Sequence, residues 1–248
     1  MPVAIVTGAT RGIGEATARM LSAEGYWVLA TGRDPQAGAD LAKDLEQGAG
    51  GAFVAADLGD DATPERLVAA AVDGGGGLDL LVNNAGINLQ ADVAATTPEL
   101  FDEVVGINLR AATLLAAASI RWMRAHGGGT IVNVSSEAGV LAFPGQVAYN
   151  VSKAALAMLT RSITADHSAD GIRAVTVSPG TSATPLVQRL IDTAPDPEAM
   201  RAALEDRPVA RLGRPEEIAA AIVFAASDAV DYLTGSEIVI DGGRTSLG

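Results

Sequence analysis

The sequence predicts an α/β fold in which a parallel sheet lies between two layers of helices, in one domain spanning residues 1–248. Three observations predict it. Short, continuous apolar runs alternate with longer helix-forming runs, and strands that are apolar throughout belong to parallel sheets buried on both faces. Small and polar residues gather just past the C-terminal end of each apolar run, the edge at which open α/β sheets bind ligands. The first such junction is rich in glycine and reads Thr7-Gly8-Ala9-Thr10-Arg11-Gly12-Ile13-Gly14.

Val3–Thr7 is the first strand, and 15–24 the helix after it, closed by Gly25. Strand, glycine turn and helix form the context of a nucleotide phosphate site. Small residues let the backbone approach a pyrophosphate, and the helix N-terminus supplies free N–H groups and a partial positive charge. The spacing is G-x-x-x-G-x-G rather than G-x-G-x-x-G, and no Gly-Lys-Ser/Thr follows to make a Walker loop. The second strand, 26–32, ends at Gly32, which has no side chain. At this point an acid binds a ribose 2′-hydroxyl, whereas an arginine accommodates a 2′-phosphate. Asp34 precedes Pro35, the pairing of a helix N-cap with its first residue, and is read as a cap. Arg33 and Arg11 then present two positive charges to a dianion. This favours NADP(H), with NAD(H) as the alternative.

A helix over 35–47 leads to a third strand, 51–56, ending in Asp57-Leu58. The next helix, 63–72, runs into a loop of four glycines, 74–77, and the fourth strand, 78–82, ends in Asn83-Asn84-Ala85-Gly86. A long helix over 100–126, a strand over 130–135, a helix over 146–168 and a strand over 173–178 follow, the last ending in Pro179-Gly180-Thr181. Residues 185–207, rich in charge and containing Pro195 and Pro197, read as a helical lid over a substrate. A helix over 216–227, started at Pro215, and a strand over 237–240 complete the chain.

Composition narrows the function classes. Apolar residues make up 48% of the chain, enough for a sizeable core. A formal net charge of −13 disfavours binding to nucleic-acid backbones and to anionic membrane surfaces. Without cysteine there is no disulfide framework, thiolate metal site or cysteine nucleophile. Only His126 and His167 are present, far apart and outside any motif, so neither a histidine-rich metal site nor a Ser-His-Asp hydrolase is expected. No metal site is predicted. The start of the chain carries no signal-peptide pattern, and Arg, Asp or Gly breaks the apolar runs short of a membrane span. A cytoplasmic protein is the expectation.

The remaining motif is Tyr149-Asn150-Val151-Ser152-Lys153, thirteen residues past Ser136. Positions i and i+4 share a helix face, so the phenol and the ammonium are neighbours. Their ordinary pKa values are about 10 and about 10.4, and a nearby positive charge favours the phenolate. A phenol tuned towards neutral exchanges a proton with a carbonyl or alcohol oxygen. A lone pair of this kind is equally a solvated decoration of an amphipathic helix.

Taken together in register, Thr7-Gly-x-x-x-Gly12-Ile13-Gly14, Asp57-Leu58, Asn83-Asn84-Ala85-Gly86, Asn108, Ser136, Tyr149-x-x-x-Lys153 and Pro179-Gly180 resemble the short-chain dehydrogenase/reductase family. The resemblance extends to Leu233-Thr234-Gly235 and Asp241-Gly242-Gly243. It implies a single-domain, Rossmann-like three-layer αβα sandwich with a seven-stranded parallel sheet. It implies that Gly8, Thr10, Gly12 and Gly14 hold the pyrophosphate, with Ile13 behind the nicotinamide ribose. Asp57 and Leu58 would meet the adenine, and Asn84, Ala85 and Gly86 the adenine ribose. Ser136 and Tyr149 would bind the substrate oxygen. Lys153 would lower the Tyr149 pKa and bond the nicotinamide ribose, and Asn108 would kink its helix and hold a relay water. Pro179, Gly180 and Thr181 would approach the nicotinamide, and Thr184 would bond its carboxamide or a phosphate. Ser135 is expected to bond locally.

For the substrate, a small-molecule carbonyl or alcohol, the candidate lining is Glu137, Ala138, Val140, Phe143, Gln146, Thr181, Leu186, Val187 and Leu190. Glu137 and Gln146 either select a polar substrate or are solvated. The pattern resembles the branch of NADPH-dependent 3-oxoacyl-carrier-protein reductases, for which Arg121 and Arg124 would be docking residues, but Asp170 stands where that branch often has arginine. A general carbonyl/alcohol oxidoreductase is preferred. A dedicated carrier-protein reductase, an NAD-dependent sugar or polyol dehydrogenase, and a non-catalytic dinucleotide sensor or scaffold subunit are the alternatives. Relatives suggest a homotetramer, or else a homodimer, paired through helices 100–126 and 146–168. Their alanine-rich faces, 111–118 and 154–157, either approach a partner or pack on their own sheet.

Overall fold

The computed structural model describes residues 1–247. One sheet of seven parallel strands organises it, in the order β3-β2-β1-β4-β5-β6-β7. The strands are β1 (Val3–Thr7), β2 (Trp27–Gly32), β3 (Gly51–Ala55), β4 (Leu80–Asn83), β5 (Gly129–Val134), β6 (Ile172–Pro179) and β7 (Ser236–Ile240). Strands β1, β4 and β6 are buried along their whole length, whereas the edge strands β3 and β7 are only half-covered.

Alternate residues of each strand feed two separate cores, as the pleat requires. Ala4 and Val6 join Val28, Val82 and Val132 under α1 (Gly12–Ala23), α2 (Pro35–Leu45) and α9 (Pro215–Ala226). Val3 and Ile5 join Leu29, Leu81 and Ile131 under α3 (Thr63–Gly75), α5 (Ala111–Ala125) and α6 (Val147–His167). Sheet order reverses between β1 and β4, and the crevice beyond their C-terminal ends is where such sheets bind ligands.

Two expectations about helices are corrected. Helix α3 does not stop before the glycines: it continues through Gly74 and Gly75, which pack so closely on Trp27 that a Cβ would run into its ring and, at Gly75, into Val3 as well. It ends where Gly76 takes a left-handed φ of 87°. The long helix over 100–126 is three pieces: α4 (Pro98–Val105), a π-helical turn (Gly106–Arg110) and α5. The π turn carries Asn108 inward. Together, Pro98–Ala125 is long and apolar enough by composition to span a bilayer, with a mean hydropathy of 1.4 over its best window, contrary to the sequence reading. Half of that window is buried inside the fold, as for a core helix. The alanine-rich stretch of α5 packs within its own chain, with Ala111, Ala112, Ala116 and Ala118 all buried. The segment read as a lid forms two helices, α7 (Pro185–Asp192) and α8 (Pro197–Glu205), each started by proline.

Candidate active site

The glycine turn closes on the end of β4 through Thr7. Its hydroxyl accepts from Asn84 N (2.9 Å) and Ala85 N (3.0 Å), while the Asn84 amide donates to Thr7 O (2.8 Å). Gly8 and Gly12 need left-handed φ values of 64° and 58°. At Gly14 a Cβ would overlap the Gly8 carbonyl and the Asn84 amide, so the helix can sit against the turn only with glycine there. The N-cap of α1, Arg11, is extended and makes no side-chain capping bond. The first-turn N–H groups of Gly12, Ile13 and Gly14 therefore open onto a cavity of about 1290 Å³ along the sheet edge.

At the far end of that cavity Thr10 packs over Gly32. Asp34 caps α2, accepting from Gln36 N and Ala37 N at 3.1 Å each, as expected. Arg11 and Arg33 line the cavity, exposed, and neither makes an ion pair among the described residues. Asp57 spends one carboxylate oxygen on Gly59 N (2.9 Å), and Leu58 lines the same end.

Ser136, Tyr149 and Lys153 meet on the opposite wall. Ser136 is the extended N-cap of a single 3₁₀ turn, Glu137–Gly139, and its hydroxyl accepts from Ala138 N (3.1 Å). Lys153 is buried and donates to Val134 O (2.9 Å). Its ammonium lies 5.7 Å from the centre of the Tyr149 ring. A Cβ at Gly86 would come within 3.2 Å of Asn108 Oδ1 and 3.3 Å of Lys153 Nζ, so the loop after β4 closes over both. Asn108 accepts from Ile87 N (2.8 Å) and donates to Ile87 O (2.9 Å) and Ser152 Oγ (3.0 Å). Ser135 donates to Lys153 O (2.7 Å), a local bond as expected.

The electrostatics differ from the sequence reading. Burial holds the Tyr149 phenol above its ordinary value; the Ser136 hydroxyl pulls the other way, and the Glu137 charge adds to the rise. Burial also lowers Lys153 from 10.5 to about 8. The expected lowering of the tyrosine by the lysine is absent: burial dominates the phenol, and the Lys153 ammonium stands over the ring.

Of the substrate candidates, Glu137, Ala138, Phe143, Gln146, Thr181, Leu186, Val187 and Leu190 line the cavity. Val140 does not: it follows the 3₁₀ turn and stands half-exposed outside the lining. Gln146 accepts from Asn88 Nδ2 (3.0 Å). Glu137 is neither solvated nor free to grip a polar substrate, since it is 4% exposed and accepts from Thr181 N and Thr181 Oγ1 at 2.9 Å each. Thr184 caps α7, accepting from Val187 N (3.4 Å), and lies against Gly12. Arg121 pairs with Glu65 and Arg124 with Asp170 (3.1 Å), so both proposed docking cations are already partnered. Sequence reasoning missed Thr7, Ser152, Asn88 and Arg207. Their roles depend on long-range contacts, and only the Thr7-Gly8 junction gave a local signal.

A strand-glycine-helix cradle facing a serine, tyrosine and lysine across one crevice defines a dinucleotide-dependent oxidoreductase of the Rossmann-like class. The chain belongs to the short-chain dehydrogenase/reductase family: a family model described as enoyl-(acyl carrier protein) reductase matches residues 8–245. The chain is 40% identical to an uncharacterized oxidoreductase of Thermotoga maritima, with 99% of this chain and 98% of that protein covered. It is 39% identical to a cis-4-hydroxycyclohexanecarboxylate dehydrogenase of Sinomonas cyclohexanicum, over 99% and 97% of the two chains. A solved structure of a short chain dehydrogenase/reductase family protein superposes with a TM-score of 0.88 at 40% identity, covering 99% of this chain and 97% of that one. The cofactors of this family are nicotinamide dinucleotides.

Proposed function

We propose that the protein is an NADP(H)-dependent oxidoreductase that interconverts a secondary alcohol and a carbonyl compound. The observation that carries this reading is the convergence of Ser136, Tyr149 and Lys153 on a cavity whose other end is the open glycine turn. The residues fit the cofactor. Uncapped N–H groups at α1 suit a pyrophosphate, and the glycines leave room that a Cβ would fill. Unpaired Arg11 and Arg33 suit a 2′-phosphate. When bound, the nicotinamide dinucleotide supplies or accepts the hydride. Ser136 orients the substrate oxygen, and Tyr149 gives that oxygen a proton in reduction and takes one in oxidation. Lys153 supplies positive charge beside the phenol, and Asn108 fixes the loop that covers Lys153.

The Sinomonas relative, named as a dehydrogenase of a hydroxycyclohexanecarboxylate, supports a secondary-alcohol substrate. Phe143, Leu186 and Leu190 give the mouth an apolar wall. The partnering of Arg121 and Arg124 argues against docking of an acidic carrier protein. The test is a panel of cyclic and linear ketones and their alcohols, run in both directions with NADPH and NADH and followed by nicotinamide absorbance. The expected result is turnover of several members, with NADPH favoured and the preference falling at least about tenfold in Arg33→Ala. Preference for NADH in the wild-type enzyme would overturn the cofactor assignment, and inertness to the whole panel would favour a dinucleotide sensor.

A further inference from the structure

Glu137, in the cavity wall, and Arg207, behind it, form a buried ion pair, 4% and 8% exposed, with Arg207 Nη1 donating to Glu137 Oε2 at 3.3 Å. Neither partner handles the proton in the reading above, and burying such a pair is expensive unless its remaining bonds are satisfied. Here helix α8 and the segments just past β6 and β7 satisfy them. Glu137 directly follows Ser136, and its Oε1 takes both the backbone and hydroxyl donors of Thr181, at the end of β6. Arg207 closes the last turn of α8, donating to Leu204 O through Nε (3.1 Å) and Nη2 (2.7 Å), and reaches Asp241 O beyond β7 (3.2 Å). Leu204 itself lines the cavity.

The backbone is shaped to admit this guanidinium. A Cβ at Gly180 would lie 2.6 Å from Arg207 Nη1, and one at Gly242 would lie 3.1 Å from Arg207 Cδ. Arg207 thus threads between two glycines, one of them in the Pro179-Gly180 turn. The remaining charged residues facing this region are Asp241, whose carboxylate is held by Gly243 N and Thr245 N, and Arg211, which pairs with Glu217.

We propose that Glu137 and Arg207 are positioning residues: a buried post that fixes the lid helix α8 relative to Ser136 and Thr181, and so sets how the substrate oxygen meets Ser136. The proposal rests on the site assignment above. The post reaches the nicotinamide side only through Thr181 and Gly180 and touches neither the glycine turn nor Arg11 and Arg33, so it should govern substrate KM and lid order and change NADPH affinity much less.

The test uses Glu137→Gln, which removes one charge, and Arg207→Lys, which keeps a cation beside Glu137 but cannot reproduce both bonds to Leu204 O. Three quantities are measured on the folded protein: substrate KM and kcat, NADPH affinity by fluorescence titration, and the rate of tryptic cleavage at the exposed lid arginines Arg189 and Arg201. The expected result is KM raised about tenfold or more, lid cleavage faster by a similar factor, and NADPH affinity within about threefold of wild type. Activity loss with KM and lid cleavage unchanged in either variant would overturn the proposal. Lid cleavage needs no turnover, so it tests the post even if the panel assay refutes the oxidoreductase reading. If Glu137→Gln does not fold, Arg207→Lys decides the matter alone.

Discussion

At Lys153 the protein holds an ammonium where water is excluded, and this has a consequence for stability. Its folded pKa, about 8, lies below its ordinary 10.5, so the folded state binds this proton less tightly than the unfolded chain. Below about pH 8 both states are charged and the burial cost stands in full; through the window from about 8 to about 10.5 it fades as the folded-state amine loses its proton. Stability therefore rises with pH across that window. Relative to Lys153→Met, the wild-type protein should gain about 2 kcal/mol between pH ~7 and pH ~9.5, read by urea unfolding of the ligand-free protein. A constant difference between the two proteins would show that Lys153 is not desolvated. The same scale sets the limit of what could be read in the chain. Ser136, Tyr149 and Lys153 were legible because their spacing is local. The pairing of Glu137 with Arg207 spans 70 residues and follows only from how β6, β7 and the lid converge.

The strand-turn-helix unit at the N-terminus is the element most fully specified by sequence, since three glycines at one junction admit few structures. Adding one methyl group at Gly14 would overlap the Gly8 carbonyl and the Asn84 amide, which donates to both Thr7 O and Gly8 O. Gly14→Ala should therefore lower stability by about 1–3 kcal/mol and weaken NADPH binding at least about tenfold, measured by thermal melting and fluorescence titration. Wild-type NADPH affinity in this variant would mean that the turn does not hold the cofactor. Other elements were less legible. Nothing local marks Gly74 and Gly75 as helical, because what keeps them there is the Trp27 ring packed against them. The π turn at Gly106–Arg110 has no local signal either, only the kink at Asn108 that the family resemblance implied, and its inward Asn108 is held by Ile87 and Ser152.

Across the whole molecule, seven apolar runs predicted the strands, and the reversal of sheet order at β1 and β4 brings their glycine and asparagine ends together. Strand runs were legible because buried parallel strands are apolar throughout; the pairing partners of Arg121 and Arg124 were not, because ion pairs on a surface leave no local pattern. The outer face of α6 keeps Val151 and Met158 about half-exposed, and α4 shows Phe101. Apolar side chains on these two neighbouring helices support the proposal that copies of the chain associate there into a homotetramer. Light scattering should give about four times the chain mass of 25.0 kDa, and Met158→Glu should reduce it. A wild-type monomer would contradict the assembly.

The central claim is that Tyr149 transfers the proton while the glycine turn and Lys153 hold the cofactor. Its most direct test is Tyr149→Phe, assayed for turnover of the best panel substrate and for NADPH affinity on the same preparation. Turnover should fall by roughly 10²–10⁴-fold with NADPH affinity nearly unchanged. Near wild-type turnover in a folded Tyr149→Phe enzyme would contradict the account.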